Sequence, residues 1–237
     1  MWQKMRLQKY LSQAWLCSRR KAEEFIANWH VYVNWEIAHL GLSVDSDNDT
    51  IVLWEEALKI KEQFVYYKFY KPRWIESTCA QRWWKSIIDI IDTDVRVFPV
   101  WRLDKDSTWL ILLTNDWRVT NFLTHPRYEH EKEYVVEVFW AIGDSDLEKM
   151  SKGVPVLWKL TLPCPIERIA SWKFKIVLKE WRNRQIRRMV EYVWLKVKKL
   201  KRVRIENIQL WNMQVSELRE LSSSEKSQLF SRLWIST

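Results

Sequence analysis

At 237 residues, 47% hydrophobic and 29% charged, the chain can bury a sizeable core in one or two domains. Its longest apolar runs are four or five residues, against about 20 for a membrane span, and no basic, apolar leader suggests secretion. The net charge of +9 sits entirely between Arg182 and Arg204, where ten Lys/Arg meet one acid, Glu191, and the rest balances at 29 against 29.

In chain order, "MRLQKYLSQA" repeats apolar residues at Leu7, Leu11 and Ala14 and predicts a short helix. Ser18 is placed to cap a second helix, "RRKAEEFIAN", with Ala22, Phe25 and Ile26 on one face. Arg19, Arg20 and Lys21 crowd its first turn against the helix dipole, which suggests that they serve something else, such as phosphates. A hairpin "HVYVNWEIAHL", a strand "DTIVLW" and a charged linker "EEALKIKEQ" complete the first segment, residues 1–60.

The second segment, residues 64–237, opens with a strand "FVYYKFYKP" stopped by Pro72, then a short helix or turn "SIIDIID". "RVFPV" leads into the cluster Arg102, Asp104, Lys105, Asp106, and "LILLTND" reads as a buried strand. "EKEYVVEVFW" alternates like a strand with Tyr134, Val136 and Val138 on one face, and "FKIVLKE" is another strand. "NRQIRRMVEYV" predicts a helix with the apolar stripe Ile186, Met189, Val190, Val193, and with Arg184, Arg187, Arg188 and Glu191 on another face. "LKVKKLKRVRI" is a basic strand whose alternation breaks near Leu200, as at a bulge. The tail "SSSEKSQLFSRL" predicts a surface helix. The concentrated positive charge fits a polyanion, nucleic acid above all, or else a solvated basic face.

Three cysteines (Cys17, Cys79, Cys164) and four scattered histidines make neither a disulfide framework nor a metal site, and a reducing cytoplasm fits. The 18 Trp against 3 Gly are anomalous, since Gly ordinarily nears 7%. Asn34-Trp35 stands where Asn-Gly would make a two-residue hairpin turn. Asn28-Trp29 stands where a left-handed Gly closes a helix, and Asn115-Asp116-Trp117 closes a strand in the same way. These Trp therefore occupy places that the fold wants to give to Gly. A gene using UGA for glycine, translated with a table that reads UGA as tryptophan, gives this pattern; a genuinely Trp-rich protein is the alternative.

"SRRKAEEFIANWHVYVNW" resembles the small alpha-L RNA-binding module of ribosomal proteins. "FPVWRLDKDSTWLILLTND", "HEKEYVVEV" and "EWRNRQIRRMVEYVWLKVKKLKRVRI" resemble ribosomal RNA pseudouridine synthases of the RsuA type, and within them the RluF branch, which acts on 23S ribosomal RNA. The likeness runs from about Met5 to Leu221, with Trp at the family's Gly positions 101, 109, 117 and 181. It implies an α+β fold: an alpha-L module, then a catalytic domain with a mixed, largely antiparallel sheet flanked by helices. It also implies an isomerase acting on a uridine in ribosomal RNA, a transfer RNA being a possible second substrate, with no metal and no cofactor.

By the resemblance Asp104 is the catalytic carboxylate, Arg187 the arginine that keeps it ionised, and Tyr134 the ring that stacks on the extruded base. Asp106 is a rival carboxylate outside the family's catalytic position. Leu103 is expected to pack and Arg102 to contact phosphate or substrate. Further RNA contacts are expected from Arg19, Arg20, Lys21, Arg184, Arg188, Lys198, Lys199, Lys201 and Arg202. Asp104 attacks or stabilises the ribose anomeric carbon, or assists a glycal; the residues do not choose between these. No membrane partner is expected, and nothing demands an oligomer over a monomer. A non-catalytic RNA-binding or ribosome-assembly protein would use the same basic segments but has no reason to keep Asp104, Tyr134 and Arg187 together. Genuine Trp at the turns would favour an inactive relic.

Overall fold

The computed structural model describes residues 4–14, 19–46, 48–53, 56–57, 64–78, 85–101, 108–124 and 128–234. They form two compact units, residues 1–63 and 64–237.

In the first unit, β1 (Met5–Arg6), α1 (Leu7–Gln13), α2 (Arg19–Ala27), β2 (Val31–Val33), β3 (Glu36–Ile37), β4 (Ser43–Val44), β5 (Ile51–Leu53) and β6 (Glu56–Ala57) follow in order. Leu7 and Leu11 of α1 and Ala22 and Ile26 of α2 are buried with Val31, Val44, Ile51 and Leu53, as the helical spacing requires. The strand order is β3-β2-β5-β6. The expected linker is thus strand at its start: Glu56 and Ala57 pair with Leu53 and Val52. Ser18 lies outside the described residues, as does the rest of that linker.

The second unit contains β7 (Tyr66–Lys71), a 3-10 turn (Ile87–Asp89), β8 (Phe98–Val100), β9 (Thr108–Thr114), α3 (Trp117–Thr124), β10 (Lys132–Val138) and α4 (Asp144–Lys152). There follow β11 (Pro155–Val156), β12 (Lys159–Leu160), β13 (Ile166–Ala170), β14 (Lys173–Leu178), α5 (Gln185–Tyr192), β15 (Val197–Ile205), β16 (Ile208–Gln209), β17 (Leu218–Glu220) and α6 (Ser223–Leu233). The main sheet runs β13-β14-β10-β15-β9-β7-β17, with β8 on β9 and β16 on β15. Only the β15–β9 pairing is parallel among the described strands.

The "LILL" run is continuous because β9 is buried on both faces. Ile111 and Leu113 join Tyr134, Val136, Phe174, Met189 and Val190 on one side, while Leu110 and Leu112 join Val119, Leu123, Leu229 and Leu233 on the other. The tail helix α6 is therefore a packed element, capped by Ser222 with a reciprocal bond from Ser222 N–H to Glu225, and not a purely surface one. β15 carries register shifts opposite Glu133/Tyr134 and Glu137/Val138, which leave Val203 and Lys198 as extra residues on either side of Leu200.

The tryptophans take unusual backbone. Trp29, Trp35, Trp74, Trp101, Trp158, Trp194, Trp211 and Trp234 all have positive φ, which costs a residue with a Cβ roughly 1–2 kcal/mol each. Many lie in the open: Trp35 is 78%, Trp158 103% and Trp194 95% exposed. Trp117 departs from expectation, because Trp117 opens α3 and is not among the residues with positive φ.

Candidate active cleft

The cluster holding Arg102, Leu103, Asp104, Lys105 and Asp106 lies outside the described residues, but both of its flanks are placed. Val100 ends β8 and Thr108 opens β9. One edge of β9 is shared: β8 pairs with Leu112–Thr114 and β15 pairs with Thr108 and Trp109. Trp109 is opposite Arg202, and Arg202 is in turn opposite Tyr134. Three strands therefore bring one row of side chains to the place where the charged cluster returns to the sheet.

α5 completes the site. Its apolar stripe buries Ile186, Met189 and Val190, which turns the arginine face outward. Tyr134, Leu200, Arg184, Gln185 and Arg187 line one cleft together with Trp109 and Trp181. The enclosed free space is about 30 Å³, room for about one water. Trp109 is 3% exposed, its ring meets that of Tyr134 edge-on at 5.3 Å and 85°, and its buried indole N–H has no hydrogen-bond partner. Such an orphan donor is costly. Trp109 and Trp181 both take up space in the cleft beside Tyr134.

Tyr134 is buried, and burial raises its phenol pKa while the Arg202 charge opposes that shift. Lys132, two residues before it on the same strand face, is buried too. Desolvation and then the neighbouring Arg202 push its ammonium down to about 8. Sequence reasoning missed Lys132 and Gln185. Gln185 is 4% exposed and its amide donates to Glu180 at 2.7 Å; a polar residue beside an apolar stripe gave no distinct signal.

The expected RNA contacts divide. Arg19, Arg20 and Lys21 are exposed on the first turn of α2, Lys21 pairing with Glu24 at 2.7 Å. Arg184, Lys198 and Lys199 are exposed and Lys201 partly so. Arg188 is partly buried and donates to Asn183 O at 3.1 Å. Arg202 is a correction: it is fully buried, donating to Leu110 O from Nε at 2.9 Å and Nη2 at 2.7 Å, so it is no surface phosphate contact. Arg202 shares the inner face with Leu200 by plain alternation, and the bulge at Val203 then puts Arg204 on the opposite face, which hides the pattern among adjacent Lys and Arg residues. Arg182 and Arg204 also serve the fold, the first holding the Val156, Lys159 and Leu160 carbonyls, the second pairing with Glu131 and Glu133. Among the described residues no group of His, Cys, Asp and Glu could hold a metal ion, and no helix is long and apolar enough to cross a membrane.

Comparison with known proteins agrees with this arrangement. Residues 65–192 match the RNA pseudouridylate synthase family and residues 5–51 the S4 domain. The chain is 37% identical over 228 residues to the dual-specificity RNA pseudouridine synthase RluF of Escherichia coli K12, covering 95% of this chain and 78% of that one. It is 34% identical to the ribosomal large subunit pseudouridine synthase B of Bacillus subtilis, covering 94% and 95%. A solved pseudouridylate synthase superposes with a TM-score of 0.70 at 25% identity, covering 95% of this chain and 99% of that one. The chain belongs to the RNA pseudouridine synthase family, an S4 domain preceding its catalytic domain.

Proposed function

We propose that this enzyme converts a uridine of 23S ribosomal RNA to pseudouridine in the cytoplasm, with Asp104 as the catalytic carboxylate. The observation that carries the reading is the cleft itself: Tyr134 and Arg187 line it together, next to the strand start that follows the Asp104 segment. The likeness to a ribosomal large subunit synthase supports the substrate; a transfer RNA is the second candidate, after the dual-specificity relative.

Exposed cations of the S4 unit and of β15 bind folded RNA through phosphates and shape. The target nucleotide leaves its stack, at a cost of a few kcal/mol that binding offsets. Its base stacks on Tyr134, a contact worth roughly 1–3 kcal/mol. The Arg187 guanidinium keeps the Asp104 carboxylate charged beside the ribose. Asp104 then attacks or stabilises the anomeric carbon or assists a glycal. The freed uracil turns and joins the ribose through carbon 5; carbon 5 loses its proton and nitrogen 1 regains one.

The test is to incubate the purified protein separately with 23S, 16S and transfer RNA transcripts and map pseudouridine by carbodiimide-primer extension. A single new stop in 23S RNA is the expected result. Modification confined to 16S or transfer RNA overturns the substrate assignment, and tight RNA binding without any product favours the non-catalytic alternative.

A further inference from the structure

We infer that Arg202 is a positioning residue for Tyr134: its fork, anchored on the Leu110 carbonyl, presents Nη1 to the tyrosine hydroxyl and fixes how that hydroxyl meets the base. The inference rests on the assignment of Tyr134 to the substrate base.

Arg202 and Tyr134 are directly opposed in the antiparallel β15–β10 pair. Both are almost wholly buried, at 0% and 1% exposure. Taking a guanidinium out of water costs several kcal/mol, and no carboxylate pairs with Arg202 among the described residues. Two of its arms are accounted for by Leu110 O. The third, Nη1, has no hydrogen-bond partner, and neither does Tyr134 Oη. The two orphans are complementary, since Nη1–H donates and the phenol oxygen accepts. A bond from Nη1–H to Oη would satisfy both, in line with the Arg202–Tyr134 side-chain interaction that opposes the raised phenol pKa, and would leave the phenol proton directed away from Arg202.

Among the described residues the charged groups around the phenol are cationic: Arg202 on β15, Lys132 on its own strand, and Arg182, Arg184 and Arg187 along the cleft; the proposed Asp104 carboxylate is the one anion that joins them. Arg202 acts on the phenol directly, lowering the cost of negative charge on an oxygen that burial makes reluctant to ionise. The hydroxyl is thereby a stronger hydrogen-bond donor, and easier to ionise, than a buried tyrosine without the cation.

The experiment measures single-turnover pseudouridine formation at saturating RNA across pH for wild type, R202M, R202K, Y134F and Y134F/R202M, with circular dichroism to establish folding. R202M is expected to slow the reaction about ten- to hundred-fold, the range of a buried hydrogen bond to a charged group. The pH-profile limb governed by Tyr134 should move to higher pH. R202K, with the charge but no fork, should fall between R202M and wild type. In the Y134F background R202M should add less than about threefold, because a residue acting through Tyr134 has nothing left to act on. Equal losses from R202M in both backgrounds, or an unmoved pH limb, overturn the inference. Should R202M not fold, R202K decides, and a wild-type rate and pH profile there overturns it as well. Y134F at the wild-type rate overturns instead the role of Tyr134 itself.

Discussion

Asn34 and Trp35 occupy the two central positions of the β2–β3 hairpin, at φ 51° and 69°, with Val33 paired to Glu36 across the turn. Both residues are left-handed, the geometry of a type I′ turn, which Asn-Gly makes without strain. A tryptophan there is 78% exposed and gains nothing from its ring. Left-handed backbone recurs at Trp29, just beyond α2, and at Trp194, just beyond α5, where Gly commonly closes a helix. The protein isolated from its source is therefore expected to carry glycine at these positions. Each exchange lowers the mass by about 129 Da, a composition effect that peptide mass spectrometry reads directly. Peptides with tryptophan at 101 and 109, from a fully active enzyme, would refute this. The glycine form is also expected to be the more soluble, because several strained residues at roughly 1–2 kcal/mol each remove much of a typical 5–15 kcal/mol stability.

RNA affinity should fall steeply with salt, with a log–log slope of about −0.7 to −0.9 per phosphate contact. K198A/K199A/K201A should flatten that slope by up to two or three contacts' worth, on the same counterion argument. Arg202 is left out of the set because it is buried. A slope equal to that of the wild type would turn the basic strand away from the RNA.

Glu206 ties three elements together. It accepts from the Glu131 N–H at 2.7 Å and from Arg232 at 2.9 Å, and meets His130 at 3.2 Å. Burial raises its carboxyl pKa, but the hydrogen bonds from His130, Arg232 and Glu131 outweigh that and hold it down at about 2. The folded value lies below the ordinary 4.5. Its contribution is therefore complete above about pH 4.5 and lost as pH falls toward 2. Denaturant melts should show E206Q less stable than wild type at pH 7, by roughly 3 kcal/mol on the linkage scale. The gap should begin to close below about pH 4.5 and the two should converge as pH falls to about 2. A constant gap from pH 7 to pH 2 would mean that Glu206 is not held ionised by these contacts.

The sequence made β10 legible because its alternation is complete, and β9 because its apolar run is unbroken. Lys132 to Val138 alternates buried and half-buried without a break, and the α5 stripe sits where its spacing put it. Helices α3 and α4 were not foreseen. α3 is short and begins at Trp117, a position read as a turn glycine, and α4 has few apolar residues, with only Leu147 and Met150 buried. In the site, Tyr134 and Arg187 were found through motifs. Arg202 was misassigned because it follows Leu200 by two and shares that residue's buried face, while the bulge at Val203 moves Arg204 to the other face and so hides the alternation from a count running back from Ile205.

Asp104→Asn keeps the side chain's size and removes its charge, so RNA affinity measured by filter binding should stay within about twofold, phosphate contacts being made by other residues. Pseudouridine formation in 23S RNA by the same preparation, followed by primer extension under single-turnover conditions, should fall at least about a thousandfold, as expected when a group acting on the reacting atoms is lost. Product formed by the Asn variant at a tenth of the wild-type rate or more would contradict the account and remove Asp104 from the chemistry.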